Sequence, residues 1–147
     1  MWVEPKTSWV ATDYYNLSDY DRIRNNIEWL KQLADNVVNI PTVITKSYKY
    51  SVPTLTPMTA KTHHDIPFAA VLNAIENNFA AINTNTHDLT DTRNVFVGNG
   101  VFITYNQLND LESKILLLHD WLLNDMTPPS NLGFTLANSV SQKGIRV

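Results

Sequence analysis

The side chains that could hold a metal ion in this chain are few and poorly spaced. The four histidines are His63, His64, His87 and His119. His63 and His64 precede Asp65, which suggests a metal site, but adjacent histidines in a loop point in different directions. No pair of histidines stands four residues apart, as a helical zinc motif requires. We therefore predict neither a metal nor a cofactor.

Nucleophilic and acid–base catalysis find equally little support. The chain has no cysteine and no G-x-S-x-G motif, and its four glycines form no phosphate-binding loop. The carboxylate pairs Asp19/Asp21 and Asp88/Asp91 stand where helix caps and turns are expected, and Asp is common there for structural reasons. We predict no catalytic residues and no enzymatic activity. A small hydrolase of cell-wall polymers remains an alternative for which the sequence nominates no residue.

Aromatic residues dominate the N-terminal part of the chain. Residues 5–30 read PKTSWVATDYYNLSDYDRIRNNIEWL. Aromatic side chains can stack on sugars or anchor a protein interface. Trp9 can instead fold back as a hydrophobic staple on the following helix. We expect Trp2 and either Tyr14 or Tyr15 to contact another chain.

Size and charge exclude several classes of protein. The chain has 147 residues, which fits one domain, and no apolar run approaches the roughly 20 residues of a membrane-spanning helix. The N-terminus MWVEPKTSW lacks the apolar core of a signal peptide, so we expect a protein made in the cytosol, with no membrane insertion. The net charge is −3, and the single basic stretch, 40–64, has only three lysines. That density is too low for a nucleic-acid interface, so no nucleic-acid partner is predicted.

Three segments have the periodicity of amphipathic helices. They span 18–37, about 65–86 and 104–125. Their apolar positions recur at alternating steps of three and four, which keeps them on one face. The predicted helix core consists of Tyr20, Ile23, Ile27, Leu30, Leu72, Ile75, Phe79, Ile82, Leu108, Leu111, Ile115 and Leu118.

Local residue types also predict where these helices begin. Ser18 with Asp21 resembles a capping box for the first helix, and Asn16 is a competing cap. Asp65 is the expected N-cap of the second helix, with Pro67 in its first turn. Thr104 and Gln107 form a capping box for the third helix.

The three helices share a repeated sequence pattern. It begins with an apolar residue, continues with Asn or Asp, and reaches Ile or Leu two positions later. The copies start at Tyr20, Leu72 and Leu108. Any amphipathic helix shares the apolar positions, but Asn and Asp are mediocre helix formers. A recurrent one suggests a hydrogen-bonding role near the helix start.

The remaining segments are predicted to be extended. Residues 40–64 form an insert in which 43–52 read as an edge strand or tethered arm between prolines. Residues 94–104 predict a β-hairpin that turns at Gly98-Asn99-Gly100. Residues 127–147 form a C-terminal arm. The fold class is therefore mainly α: a helical domain over 1–126, with helices that bundle within one chain or between chains, a small hairpin and extended arms.

The N-terminal motif resembles a segment of tail-associated structural proteins of phages and prophages of Gram-positive bacteria. The residues that carry the resemblance are Trp2, Pro5, Lys6, Thr7, Trp9, Asp13, Tyr14, Tyr15, Asn16, Tyr20, Asp21, Arg22, Ile23, Asn26 and Ile27. Thr104, Leu108, Asn109, Leu111 and Glu112 resemble a second motif of the same family. Arg24 departs from the family pattern by reversing a charge.

The resemblance implies a structural role in the virion. It implies a baseplate, tail-tip or fibre-connecting component, assembled in the host cytoplasm with copies of itself and with other tail proteins. The assembly interface we predict comprises Trp2, Pro5, Trp9, Tyr14, Tyr15, Arg22, Phe96, Phe102 and Phe134. The alternative is a carbohydrate-binding module that binds a host-surface glycan through Trp2, Tyr14, Tyr15 and Phe96.

Overall fold

The computed structural model describes residues 1–38, 50–66, 68–90, 93–98 and 102–126. Three α-helices follow one another along the chain: α1 Leu17–Val38, α2 Ala69–Thr84 and α3 Tyr105–Asp125. No β-strand occurs within the described ranges. The mainly α fold class is therefore confirmed. No helix within these ranges is long and apolar enough to cross a membrane.

The helix starts confirm two caps and correct two others. Asn16, not Ser18, caps α1: its Oδ1 accepts the Ser18 N–H (2.9 Å), and the Asp19 carboxylate accepts the Asn16 N–H (3.0 Å). The helix begins at Leu17, which places Asp19 rather than Asp21 at the third position, where a capping box needs its acid. The Thr104–Gln107 capping box of α3 is present as predicted.

The start of α2 differs from the prediction. The helix begins at Ala69, after Phe68, and no side chain caps it. The Asp65 carboxylate instead accepts the backbone N–H and the hydroxyl of Thr62 (3.1 and 2.8 Å), which closes a turn before the helix. A side-chain oxygen that binds the preceding backbone is not available to cap the helix that follows, and here the turn prevails. Pro67 lies outside the described residues.

The core combines the apolar helix faces with side chains from the extended segments. All twelve residues of the predicted helix core are buried. Residues from outside the helices join the same cluster: Trp9, Met58, Ile66, Phe96 and Ile103. Each fully buried large apolar side chain contributes about 1.5–3 kcal/mol relative to an exposed one. The extended segments are therefore part of the core rather than arms attached to it.

The N-terminal segment shows that α1 and α3 run in the same direction. Trp2 stacks on His119, whereas Trp9 lies against Asn109, so residues 2–9 run opposite to α3. Val3 pairs with Asn26 in α1, and the Trp9 ring lies near Arg22, so the segment also runs opposite to α1. Since both helices oppose one segment, they are parallel to each other.

The second connection places α2 in the same orientation. In the segment 50–66, Thr56 pairs with Asn78 in the second half of α2, whereas Thr62 lies closer to the start of that helix. The segment therefore runs opposite to α2. On its other side it meets α1, where Met58 C=O accepts from Arg24 and Thr59 C=O accepts from Tyr20. Helix α1 packs against both α2 and α3. The bundle therefore forms within one chain, and its three parallel helices are joined by long segments that return along the grooves.

The predicted β-hairpin is not observed among the residues of 94–104 that the structure describes. The backbone N–H and C=O of Phe96 pair with the side chain of Asn73, each at 2.8 Å, so they are not available to a neighbouring strand. Residues 99–101, which include most of the predicted turn, lie outside the described part of the chain. Residues 40–49 of the predicted insert and the predicted C-terminal arm, 127–147, also lie outside it.

Candidate functional site

A buried carboxylate connects the N-terminal segment to two helices. Glu112 is 0% exposed at its side chain and binds Arg22, whose side chain is 15% exposed. Its Oε1 accepts from the Trp9 indole N–H (2.8 Å) and from Arg22 Nη2 (2.7 Å). Its Oε2 accepts from the Lys6 backbone N–H (3.0 Å) and from Arg22 Nε (2.9 Å). Four hydrogen-bond donors thus compensate for the burial of this carboxylate away from water.

Arg22 is held as tightly as the acid it pairs with. Its Nη1 donates to Asp19 at 2.8 Å, and its other donors bind Glu112 in the bidentate geometry that suits a guanidinium. Burial acts to lower the pKa of Arg22, but the hydrogen bonds and negative charges of Glu112 and Asp19 together raise that pKa above its ordinary value. Arg22 therefore stays charged. Removal of one partner from such a pair is strongly destabilising, because it leaves a buried charge uncompensated.

Two asparagines at the same position of the repeat hold extended backbone. Asn109 Oδ1 accepts the Trp9 N–H (2.7 Å), and its Nδ2 donates to the Trp9 C=O (2.9 Å). Asn73 makes the same two bonds with Phe96, both at 2.8 Å. Each side-chain amide thus replaces a neighbouring strand for one residue. We call this two-bond contact an asparagine clamp.

Three further clamps use the same chemistry. Asn26 and Asn78, which occupy equivalent positions in α1 and α2, clamp Val3 (2.9 and 2.6 Å) and Thr56 (2.8 and 2.7 Å). Asn83 clamps Leu89, with both bonds at 2.8 Å. Buried backbone groups need partners, and these segments have no strand beside them. The clamps supply those partners and fix the register of each segment on its helix.

The repeat is therefore a packing unit with a physical function. Each extended segment lies between the helix that follows it and another helix, so the three grooves of the bundle are occupied in turn. The Asn/Asp position predicted to hydrogen-bond does so in α2 and α3. Sequence reasoning did not identify what it binds, nor the buried acid three residues later. That acid is Glu112 in α3 and Glu76 in α2, where it accepts from Asn94 at 3.1 Å.

Most of the predicted interface residues are used inside the chain. Pro5, Trp9 and Phe96 are buried, so they have little surface left for a partner. Trp2 and Tyr15 are half-buried, Trp2 against His119 and Tyr15 between Trp9 and Phe102, and Arg22 binds Glu112. Tyr14 and Phe102 remain exposed, at 87% and 40%. Phe134 lies outside the described residues.

Several exposed apolar side chains lie near the N-terminal ends of the helices, whereas others, such as Leu117, Trp121 and Leu123, lie in the C-terminal half of α3. Because the three helices are parallel, these ends lie at one end of the bundle. Tyr14, Phe68 and Tyr105 stand at or just before the helix starts and are 87%, 59% and 41% exposed. Val97, at 67%, belongs to the segment that returns to this end. This end of the bundle therefore offers exposed aromatic surface to a partner.

The opposite end of the bundle carries a polar cluster without the features of a metal site. Asp125 Oδ2 accepts from the Tyr50 hydroxyl (2.7 Å) and lies 2.6 Å from His87 Nε2. The His87 and Trp121 rings meet edge to face, with the ring centres 4.8 Å apart. No group of three metal-ligating side chains occurs in the part of the chain that the structure describes. This cluster ties the start of one segment to the ends of two helices.

Comparisons with protein-family models, with curated proteins and with solved structures find no match for this chain. The geometry of the described residues therefore carries the functional argument, together with the sequence resemblance. The buried polar side chains described above hold the extended segments against the helices, and most of their hydrogen-bonding groups are used in these contacts.

Proposed function

We propose that this chain is a structural protein of a phage tail, in the baseplate, the tail tip or a fibre connection. In this proposal it acts through assembly with copies of itself and with other tail proteins, in virions that form in the host cytoplasm. The N-terminal motif carries the proposal, because it is the part that resembles such proteins.

The observation that favours this role is how the motif is used. Lys6 pairs with Asp13 (2.9 Å) and lies 4.1 Å from the centre of the Trp9 ring. Asn16 caps α1, and Trp9 is held by Asn109 and Glu112. The motif residues bind one another and the helices, so their side chains hold the fold together. A motif that stabilises the fold in this way suits a protein whose role is to assemble with other proteins.

The carbohydrate-binding alternative has less support. Sugar-binding aromatic residues need an exposed ring face. Of the residues predicted for that role, Phe96 is buried, and Trp2 and Tyr15 are covered by His119, Trp9 and Phe102. Tyr14 alone keeps most of its surface. Titration with host-surface polysaccharide, followed by tryptophan fluorescence, should therefore give no change.

Mass spectrometry of purified particles, with gold-labelled antibody viewed by electron microscopy, tests the proposal. We expect the chain in the particles and the label at one end of the tail. A chain that is abundant in the lysate but missing from the particles would overturn the virion role. Label spread over the capsid would overturn the tail assignment.

A further inference from the structure

An apolar stripe remains exposed on the C-terminal half of α3. Leu117 and Trp121 stand four residues apart, so their side chains are neighbours on one face of the helix. Their exposed fractions are 46% and 43%, although Trp121 also contacts His87. Asn124 follows three residues after Trp121 on the same face and is exposed as well. We call Leu117, Trp121 and Asn124 the α3 stripe.

The α3 stripe has the two features with which the helices of this chain bind extended backbone. On another face of α3, Asn109 clamps the backbone of Trp9, whose ring is buried beside it. On α2, Asn73 clamps Phe96, whose ring is also buried. Each of these contacts combines an asparagine amide with apolar surface. The α3 stripe offers the same combination, and Asn124 takes part in none of the five clamps.

The sequence that follows α3 begins beside this stripe. The helix ends at Asp125, and residues 127–147 follow its C-cap. Pro128 and Pro129 cannot continue the helix, because proline lacks the backbone N–H and its ring clashes with the preceding turn. The 21 residues of α3 span about 31 Å. Ten residues of extended chain cover a similar distance, about 33 Å, so residues 127–147 are long enough to return along the whole helix.

The apolar residues of this sequence have the spacing of the α3 stripe. Leu132, Phe134 and Leu136 stand at every second position, so an extended chain would place all three on one side. Two residues of extended chain advance about 6.6 Å, and four residues of a helix advance about 6 Å. The step from Leu132 to Phe134 therefore matches the step from Trp121 to Leu117.

We propose that residues 130–136 return along α3, in the direction opposite to the helix, and cover the α3 stripe of the same chain. In this arrangement Leu132 packs on Trp121, and Phe134 packs on Leu117. The segment that contains Trp2 and Trp9 already lies on another face of α3 in the same orientation. The covering segment thus uses a packing mode that the fold uses elsewhere.

Asn124 supplies the sixth clamp in this arrangement. It precedes Trp121 on the path of the returning chain, so it meets the backbone just before Leu132. Ser130 and Asn131 are the first residues after the two prolines that have a backbone N–H to give. With the α3 stripe covered, the N-terminal end of the bundle is left as the aromatic surface for partners. The contact lies within one chain and does not depend on the virion role.

A pair of introduced cysteines tests the contact in the full-length chain, which has no cysteine of its own. A disulfide needs Cα atoms within about 7 Å of each other. We expect Leu117→Cys/Phe134→Cys to form a disulfide within one chain on mild oxidation in dilute solution, seen as faster migration of the monomer on a non-reducing gel. Gln32→Cys/Phe134→Cys is the matched control, because Gln32 is exposed on α1 in the half nearer the same end of the bundle.

The rates of oxidation decide between the possible locations of the segment. The Leu117 pair should oxidise at least about tenfold faster than the Gln32 pair, because docking raises the local concentration of the second thiol. Equal rates, or no disulfide in either variant, would show that residues 130–136 do not lie on the α3 stripe. Disulfides that join two chains instead of closing one would assign the stripe to a second copy and overturn the proposal.

Hydrogen exchange of the full-length chain tests the clamp. We expect a backbone N–H at residue 130 or 131 to exchange at least about tenfold more slowly in the wild type than in Asn124→Ala. Asn77→Ala, which changes an exposed asparagine of α2, should exchange like the wild type. Unprotected exchange throughout 130–136 in the wild type would refute the docking. Neither measurement involves another tail protein, so its outcome is separate from that of particle mass spectrometry.

Discussion

Replacement of Glu112 by Gln should show how much stability one buried acid supplies. The substitution keeps the shape of the side chain but exchanges one carboxylate oxygen for an NH2 group. Whichever oxygen is exchanged, the protein loses one bond from Arg22 and one bond from an uncharged donor, either the Trp9 indole N–H or the Lys6 backbone N–H. The new NH2 group also faces donors instead of acceptors.

The magnitude follows from these losses. Both bonds are made to a carboxylate, and a hydrogen bond to a charged group contributes about 1.5–3 kcal/mol. Arg22 keeps its bond to Asp19, which limits the cost of leaving it with less compensation. We expect a loss of about 3–4 kcal/mol, a large part of the roughly 5–15 kcal/mol that stabilises a typical domain. At about 2–4 °C per kcal/mol for chains near this size, Tm should fall by about 10 °C.

Urea unfolding followed by tryptophan fluorescence measures the effect, because Trp9 lies in the site. Glu28→Gln is the matched control, because the Glu28 side chain is 44% exposed and its ion pair with Arg24 is long, at 3.9 Å. It should change the free energy of unfolding by less than about 0.5 kcal/mol. Equal effects of the two substitutions would refute the argument that burial and four donors make Glu112 special.

Three further substitutions probe the clamps and the core. Asn109→Asp keeps the acceptor for the Trp9 N–H but loses the donor to the Trp9 C=O, so the free energy of unfolding should fall by about 1–3 kcal/mol at neutral pH. Urea unfolding at acid pH should show part of this stability restored, because the protonated carboxyl can donate again. Tyr15→Phe removes a buried hydroxyl that finds no hydrogen-bond partner among the described residues, and thermal unfolding should show no loss, or a gain of up to about 1 kcal/mol. Ile27→Asp places a charge at a fully buried position, and circular dichroism should show an unfolded chain.

These outcomes have clear controls. Asn77→Asp changes an exposed asparagine of α2 and should leave stability unchanged; an equal loss at Asn77 and Asn109 would contradict the clamp. Burial raises the pKa of the Tyr15 hydroxyl above the ordinary tyrosine value of about 10. The folded wild type is therefore unaffected below about pH 10, and its free energy of unfolding falls as pH rises through the folded-state pKa. Tyr15→Phe should therefore reduce alkaline unfolding. A folded Ile27→Asp variant would show that the α1 core assignment is wrong.

The helices and their buried faces could be predicted because they depend on local periodicity. The spacing of Ile23, Ile27 and Leu30 identifies one face of α1 without knowledge of its neighbours. The Thr104–Gln107 box is equally local. Asp65 was misassigned because a turn and a helix cap use the same side-chain oxygen, and the sequence does not rank the two.

The clamps and the buried acid could not be predicted because their partners lie far away along the chain. Asn109 binds Trp9 across 100 residues, and Glu112 binds Arg22 across 90. The repeated Asn indicated that a bond exists but not what it holds. The hairpin was predicted because the residues around Phe96 are typical of strands. The backbone N–H and C=O of Phe96 instead bind the Asn73 side chain on α2, a contact that local sequence does not reveal.

The span between Trp9 and Asn109 has a consequence for how the protein acquires its fold during synthesis. A ribosome adds residues in order, so the N-terminal segment emerges long before the helix that must receive it. Until α3 has left the exit tunnel, the Trp9 indole and the Arg22 guanidinium lack the carboxylate that pairs with them. Contacts of such separation slow folding, because a long loop must close before any of them forms. We therefore expect nascent chains that stop before α3 to remain open to protease and to require protection by chaperones.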